Sequence, residues 1–302
     1  MLHGNPNAFC HSPLDTRGVE RKDPDWVAAQ RNHPKAKLML VHRDHLLVER
    51  LPQKSYIQWL TLDVLRQLPM SRHVVLLGTD GDAPVFAVDA SAVDTPPLQD
   101  YGSYVALRSA APFLSPEELS IAGQALWLLS WHRRMGYCSE HGDPLISGEG
   151  GFKRVNERRG TEHFPRTDPV AIVLPIHDDA VCLGRGPHFP KGFMSAFAGY
   201  LEPGETLEQC GARELKEEVG LEAVSMRYLF SQPWPFPSSL MMGFLAEVKD
   251  RHLTLDPDEI VEARWFSREE AQAVLDGDHE VMCPPPFAIA HQLLKTWLQE
   301  TR

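Results

Sequence analysis

Glu205, Arg213, Glu214, Glu217 and Glu218 form the part of this 302-residue chain best suited to chemistry. On a helix, Glu214 and Glu218 lie four residues apart on one face, with Glu217 next to Glu218. Carboxylates held so close repel one another and raise each other's pKa unless a cation sits between them. Hard oxygen donors of this kind favour Mg2+ or Mn2+ over zinc. The local sequence supplies the helix that such a site needs. Thr206 followed by Gln209 is a capping box that predicts a start at Leu207, and Gly220 is a C-terminal stop. Leu207, Gly211 and Leu215 recur every four residues and predict its buried stripe.

The elements around this helix predict a mixed α/β (α+β) chain in two main parts. Residues 1–35 are polar and broken by Pro, which predicts an irregular arm. From 36 to 135, short apolar runs separated by turns precede a helix opened by Ser115-Pro116-Glu117-Glu118, the pattern of an α+β domain. Residues 136–168 are rich in Gly and charge and read as a bridge. From 169 to 302 the strands AIVLPI, AVCLGR and SAFAGYL lead into the acidic helix. Strands at MRYLFSQ, LMMGFLAEV and EARWFS and two closing helices follow. The Pro-aromatic string SQPWPFPSS, residues 231–239, holds Trp234 and Phe236 on a stiff extended loop, a display suited to stacking on a planar base.

Composition narrows the class. A net charge of −11 argues against non-specific capture of long nucleic acid, which needs a basic surface. Five scattered cysteines suggest reduced thiols and a cytoplasmic protein. No apolar run is long enough to span a bilayer, and the first residues lack a secretory pattern, so no membrane partner is expected.

Gly199, Glu205, Arg213-Glu214-Leu215 and Glu217-Glu218-Val219-Gly220-Leu221 match the Nudix box, G-x5-E-x7-R-E-U-x-E-E-x-G-U with U apolar, at every position. The chain therefore resembles the Nudix hydrolases. SQPWPFPSS, EHFPRTDP at 162–169, HSPLDTR at 11–17 and PPPFAIA near the end narrow the resemblance to the NADH pyrophosphatase family. It implies an α/β/α fold for the C-terminal domain. It also implies hydrolysis of NADH or NAD+ to nicotinamide mononucleotide and AMP, removal of NAD caps from RNA by the same cleavage, and a homodimer. By motif position, Glu214, Glu217 and Glu218 would bind metal, with Glu218 helping to activate water, and Glu259 in LDPDEIVEARW would assist. Arg213 would pair with Glu205 or another box carboxylate. Phe164, Tyr200 and Trp234 fall at aromatic substrate-contact positions, and Gln232, Ser239 and Ala290 at further contacts to the dinucleotide. Two alternatives stay open: preference for ADP-ribose or another nucleoside diphosphate derivative, and a catalytically silent nucleotide-binding regulator.

The chain departs from the family at the zinc ribbon, usually two CxxC pairs. Here the first pair is Cys138 and His141, and the second falls on Asn156 and Arg159. Two ligands cannot close a structural site, so zinc is expected to be absent. The bridge also gathers Lys153, Arg154, Arg158, Arg159 and Arg166, with Arg133 and Arg134 before it, a candidate basic patch for guiding phosphate.

Overall fold

The computed structural model describes residues 5–51, 54–65 and 73–300. The arm contains more order than its composition predicts. Helix α1, Pro24–Gln30, starts where the Asp23 side chain accepts from the Asp25 N–H and Pro24 occupies the first helical turn. A sheet follows, built from β1 (Lys37–His42), β2 (His45–Arg50), β3 (Ser55–Ile57), β4 (Val74–Asp80) and β5 (Ala83–Asp89), with α2 at Leu62–Leu65. Its order is β3-β2-β1-β5-β4, and β6 (Ser103–Ala106) also pairs with β2. The turn between β4 and β5 falls in the TDGDAP break, where Gly81 takes a φ of 60°.

After the short α3 (Leu107–Ala110), the long helix α4 spans Pro116–Arg134. Ser115 caps it by accepting from the Glu118 N–H at 3.2 Å. The Glu118 carboxylate accepts from the Ile57 N–H at 3.0 Å and so ties the helix start to β3.

The bridge is a three-stranded sheet of β7 (Ile146–Gly148), β8 (Lys153–Val155) and β9 (Glu162–His163). Gly151, at φ 109°, lies so close to Val75 that a Cβ would come within 2.8 Å of that side chain. Arg154 is 5 % exposed and donates to His132 Nδ1 at 2.9 Å and to the Leu145 carbonyl at 3.1 Å. His132 Nε2 lies 2.7 Å from the Gly151 carbonyl. With Nδ1 accepting, Nε2 carries the proton and donates. Burial holds this imidazole neutral, its pKa pushed down to about 4.

The chain divides into two compact units, Phe9–Arg166 with Pro235–Ser238, and Met1–Ala8 with Thr167–Trp234 and Ser239–Arg302. In the second unit β10 (Asp168–His177), β11 (Ala180–Arg185) and β12 (Phe197–Tyr200) lead into α5 (Leu207–Val219). Then come β13 (Ala223–Trp234), β14 (Ser239–Val248), β15 (Glu262–Ser267), α6 (Arg268–Asp276) and α7 (Ile289–Gln299). The sheet order is β13-β14-β10-β11-β15 with β12 on β10, and the central pair β10–β14 is parallel.

Side chains alternate across β10. Ala171 and Val173 join Cys210, Leu215 and Val219 of α5. Ile172, Leu174 and Ile176 join Val274 of α6 and Leu293, Leu294 and Trp297 of α7. The helices thus cover both faces of a mixed sheet, the α/β/α sandwich expected for this half.

Candidate metal centre

Helix α5 carries both boundary signals expected of it. Thr206 and Gln209 form the reciprocal capping box, and Gly220 ends the helix in the left-handed conformation at φ 72°. Its buried face is Cys210, Gly211, Leu215 and Val219 rather than a stripe beginning at Leu207, which is half-buried. Gly211 has no side chain because Met226 Cε and Val173 Cγ2 would lie 2.6 and 2.8 Å from a Cβ. This close approach presses the helix onto the sheet, so Glu214 and Glu218 are buried with it, at 9 % and 8 % exposure. Gly199 of β12 is required for the same reason, since a Cβ there would overlap the Glu214 carboxylate.

Arg213 organises the acidic face. It grips Glu205 bidentately, Nε to Oε1 at 2.7 Å and Nη2 to Oε2 at 3.0 Å, and donates to the Tyr200 carbonyl at 3.0 Å. Its Nη1 reaches Glu214 at 2.7 Å and Glu217 at 2.9 Å. The guanidinium holds the Glu205 carboxyl down at about 2, helped by the Glu202 N–H. Arg213 itself is raised by the same bonds, with Glu205 the largest contributor.

Glu214, Glu218 and Glu259 each bring a carboxylate oxygen to within 4.8 Å of the others. Glu259 arrives from a turn tied to the end of α5. The Thr254 N–H donates to the Val219 carbonyl at 2.9 Å and the Asp256 N–H to the Glu218 carbonyl at 3.0 Å. Asp256 then accepts from the Asp258, Glu259 and Ile260 N–H groups, so Glu259 sits in a capped turn and not at a helix start. Burial, then the charges of Glu214, Glu259 and Glu217, raise the Glu218 carboxyl to about 8. Burial raises Glu214 as well, against the pull of Arg213. Glu218 Oε2 is buried and has no hydrogen-bond partner. Three hard oxygen donors converging on an orphaned buried oxygen fit a divalent cation such as Mg2+ or Mn2+. Glu217 stands apart from this trio, mostly exposed and turned to Arg213.

The other sequence-named residues fall into two groups. Tyr200 is 58 % exposed, its hydroxyl 3.5 Å from Ser239 Oγ, and Ser239 pairs in register with the half-exposed Trp234. Phe164, 62 % exposed, belongs to the first unit. Gln232, Ser239 and Ala290 are buried. The Gln232 carboxamide is fully engaged within the protein, donating to the Ala8 and Phe287 carbonyls at 3.2 and 2.7 Å and accepting from the Ile289 N–H at 2.8 Å. Phe236 lies with the first unit, beneath the Arg108 guanidinium at 4.1 Å and against the edge of Phe9. It is packed, not displayed for a base.

The bridge donors do not fit a structural zinc. Cys138 Sγ lies 3.6 Å from His141 Nδ1 and 3.3 Å from His163 Nε2, but the second pair contributes an amide and a guanidinium. Asn156 Nδ2 instead donates to Asp143 at 3.2 Å, with Arg158 and Arg159 paired to the same carboxylate. The bridge cations do not form an open basic face either. Arg154 is buried, Lys153 is held by Glu149 and Glu162, and Arg133 pairs with Asp44.

Two family models match the chain. Residues 166–283 match the NUDIX domain, and residues 35–131 match the NADH pyrophosphatase-like rudimentary NUDIX domain. The NAD-capped RNA hydrolase NudC of Mycobacterium bovis (strain BCG / Pasteur 1173P2) is 34% identical over 94% of this chain and 94% of its own length. The human NAD-capped RNA hydrolase NUDT12 is 32% identical over 97% of this chain and 73% of its own. A crystal structure of a NUDIX hydrolase from Nitrosomonas europaea aligns with 55% of this chain and 91% of its own, at 24% identity and a TM-score of 0.42.

Proposed function

The chain belongs to the Nudix hydrolases, with an NADH pyrophosphatase-like rudimentary domain before its NUDIX domain, and on that premise we propose that it hydrolyses the pyrophosphate of NAD(H) to nicotinamide mononucleotide and AMP and removes NAD caps from RNA by the same cleavage. The observation that carries this reading is the Glu214–Glu218–Glu259 cluster with its orphaned buried oxygen. The names of the relatives support the choice of substrate.

Glu214, Glu218 and Glu259 would hold Mg2+ or Mn2+. Such a cation supplies charge neutralisation at the pyrophosphate oxygens and a more acidic water. The residues do the rest. Glu218, the most deeply buried carboxylate of the trio, takes the proton of the attacking water. Glu214 is fixed between Arg213 and the bare backbone of Gly199, which leaves it one geometry. Glu205 and Glu217 serve by holding Arg213, whose Nη2 also fixes the carbonyl of Tyr200. Tyr200 and Trp234 offer exposed ring surface to the nucleotide, and Gln232 positions the segment that carries Ala290. Water adds to one phosphorus as the bridging P–O bond breaks, so each product leaves with one phosphate.

We take 169–302 as the catalytic domain, 36–135 as its rudimentary companion, 136–168 as the bridge and 1–35 as an arm. The family matches at 166–283 and 35–131 support the first two. The protein is further taken to be cytoplasmic, a reading supported by its scattered free cysteines, and a homodimer, a reading that rests on the family resemblance. Among the described residues no helix is long and apolar enough to cross a membrane.

The test is to incubate pure protein with NADH, NAD+, ADP-ribose and NAD-capped RNA in Mg2+, Mn2+ or EDTA and to separate the products. Nicotinamide mononucleotide and AMP from NAD(H), absent in EDTA, are expected. Cleavage of ADP-ribose alone would overturn the substrate, and binding of NADH without cleavage would overturn the activity.

A further inference from the structure

We propose that Phe287 is the second wall of a base-binding slot whose first wall is Trp234, the two rings bracketing one planar heterocycle of a nucleotide. This rests on the reading that the site takes a dinucleotide. The two rings lie nearly parallel, 21° apart, with centroids separated by 6.4 Å, and both are half-exposed. A third ring in contact with both needs about 7 Å, twice a carbon–carbon contact of roughly 3.5 Å. A base therefore enters once the two ring planes stand that far apart.

One side chain sets the position of both walls. Gln232 and Trp234 are two residues apart on β13 and project from the same face of the strand. The Gln232 carboxamide donates to the Phe287 carbonyl at 2.7 Å and accepts from the Ile289 N–H at 2.8 Å, so the strap before α7 is hung from the strand that bears Trp234. Gln292 donates to the Pro286 carbonyl at 2.7 Å, and the prolines at 284, 285 and 286 restrict the strap further. From the other side, Asn5 and Asn7 donate to the Ser231 carbonyl at 2.8 and 3.2 Å. Both walls are thus held before any ligand arrives, which lowers the ordering cost of binding.

Strand pairing and hydrogen bonds link the slot to the metal centre. Trp234 pairs with Ser239, Ser239 meets the Tyr200 hydroxyl, and Arg213 holds the Tyr200 carbonyl and the Glu214 carboxylate.

The bond that fixes Phe287 uses its backbone oxygen, so replacing the side chain leaves the strap in place. In NADH hydrolysis, Phe287→Ala is expected to raise KM about tenfold, in the range one base–ring stack is worth, with kcat within about twofold. Phe287→Tyr should restore KM, whereas Phe287→Leu, with apolar bulk but no ring, should not. AMP and nicotinamide mononucleotide as competing inhibitors identify the base, since only the mononucleotide whose ring enters the slot should lose inhibition in Phe287→Ala. An unchanged KM in Phe287→Ala, a Leu variant as good as Tyr, or equal loss for both mononucleotides would overturn the slot. If the wild type cleaves no NAD(H), the proposed activity falls, but the slot is still read by equilibrium binding of the same two mononucleotides. Affinity for one of them that depends on the Phe287 ring would support it, and independence would overturn it.

Discussion

Glu218 concentrates the chemistry of this protein because it is both buried and unpartnered. Its carboxyl, raised by burial from the ordinary glutamate value of 4.5 to about 8, holds a proton in the metal-free folded chain that the unfolded chain releases near pH 4.5. Between those two values the native state binds more protons than the unfolded state, so stability falls as pH rises. The expected result is that in EDTA the Tm of wild type drops between about pH 5 and 8 more steeply than that of Glu218→Gln. Equal slopes for the two proteins would remove Glu218 as the source. Added Mn2+ should flatten the wild-type curve, because a cation takes the place of the proton.

Arg213 poses a different question at the same scale. A lysine keeps the charge but cannot grip Glu205 through two parallel bonds while reaching Glu214 and Glu217. Arg213→Lys is therefore expected to cut kcat by at least tenfold with a smaller change in KM. Wild-type kcat in that variant would show that charge alone suffices. The pairing of Arg213 with Glu205 was legible in the sequence, because the box spacing sets Glu205 just ahead of the helix and Arg213 about two turns into it. The placement of Glu217 on Arg213 rather than in the trio was not. Two neighbouring glutamates look alike in sequence, and only the packing of α5 on the sheet decides which of them is buried.

At the scale of elements, α5 was the most legible part of the chain, since both of its ends are written in local side-chain chemistry. Its exact buried face was not, because that face is set by contact with β10 and β13. Gly211 marks the point of closest approach. Gly211→Ala must displace both Met226 and Val173, and overpacking of this kind typically costs about 1–3 kcal/mol. Thermal denaturation should show a lowered Tm together with weaker Mn2+ binding, as Glu214 and Glu218 are pushed off the sheet. An unchanged Tm would mean that the helix has slack the structure does not show. The turn that delivers Glu259 was visible as Asp256-Pro257, but its attachment to the Val219 and Glu218 carbonyls joins segments far apart in sequence. The same holds for Gln232, whose motif position suggested a substrate contact and whose carboxamide is spent on Ala8, Phe287 and Ile289. Helix α1 was missed in a Pro-broken arm although Asp23-Pro24 is a sound start signal, because seven residues carry too few apolar positions to show a period.

Across the whole molecule, the departure at the ribbon is compensated within the first unit. Where a zinc ion would join two knuckles, Asp143 on the first accepts from Asn156 and pairs with Arg158 and Arg159 on the second. Buried Arg154 and His132 and the close contact of Gly151 with Val75 also anchor the segment. Dialysed protein is accordingly expected to hold less than one equivalent of zinc and to keep its Tm in a strong zinc chelator. Asp143→Ala should lower Tm by the few degrees that about 1 kcal/mol represents. A full equivalent of zinc, or unfolding in the chelator, would contradict this. The loss of two ribbon ligands could be read from sequence, but not their replacement by Asp143, since nothing marks that residue among its charged neighbours. The apparent basic patch shows the converse error, in which residues adjacent in sequence are dispersed by pairing and burial.

The role of Glu218 is tested most directly by the turnover of NADH by Glu218→Gln beside wild type in saturating Mn2+, with folding verified by thermal denaturation. The variant is expected to fold and to have lost nearly all turnover. A folded variant within about tenfold of wild type, less than about 1.4 kcal/mol of barrier, would contradict the assignment of the buried glutamate to the reaction.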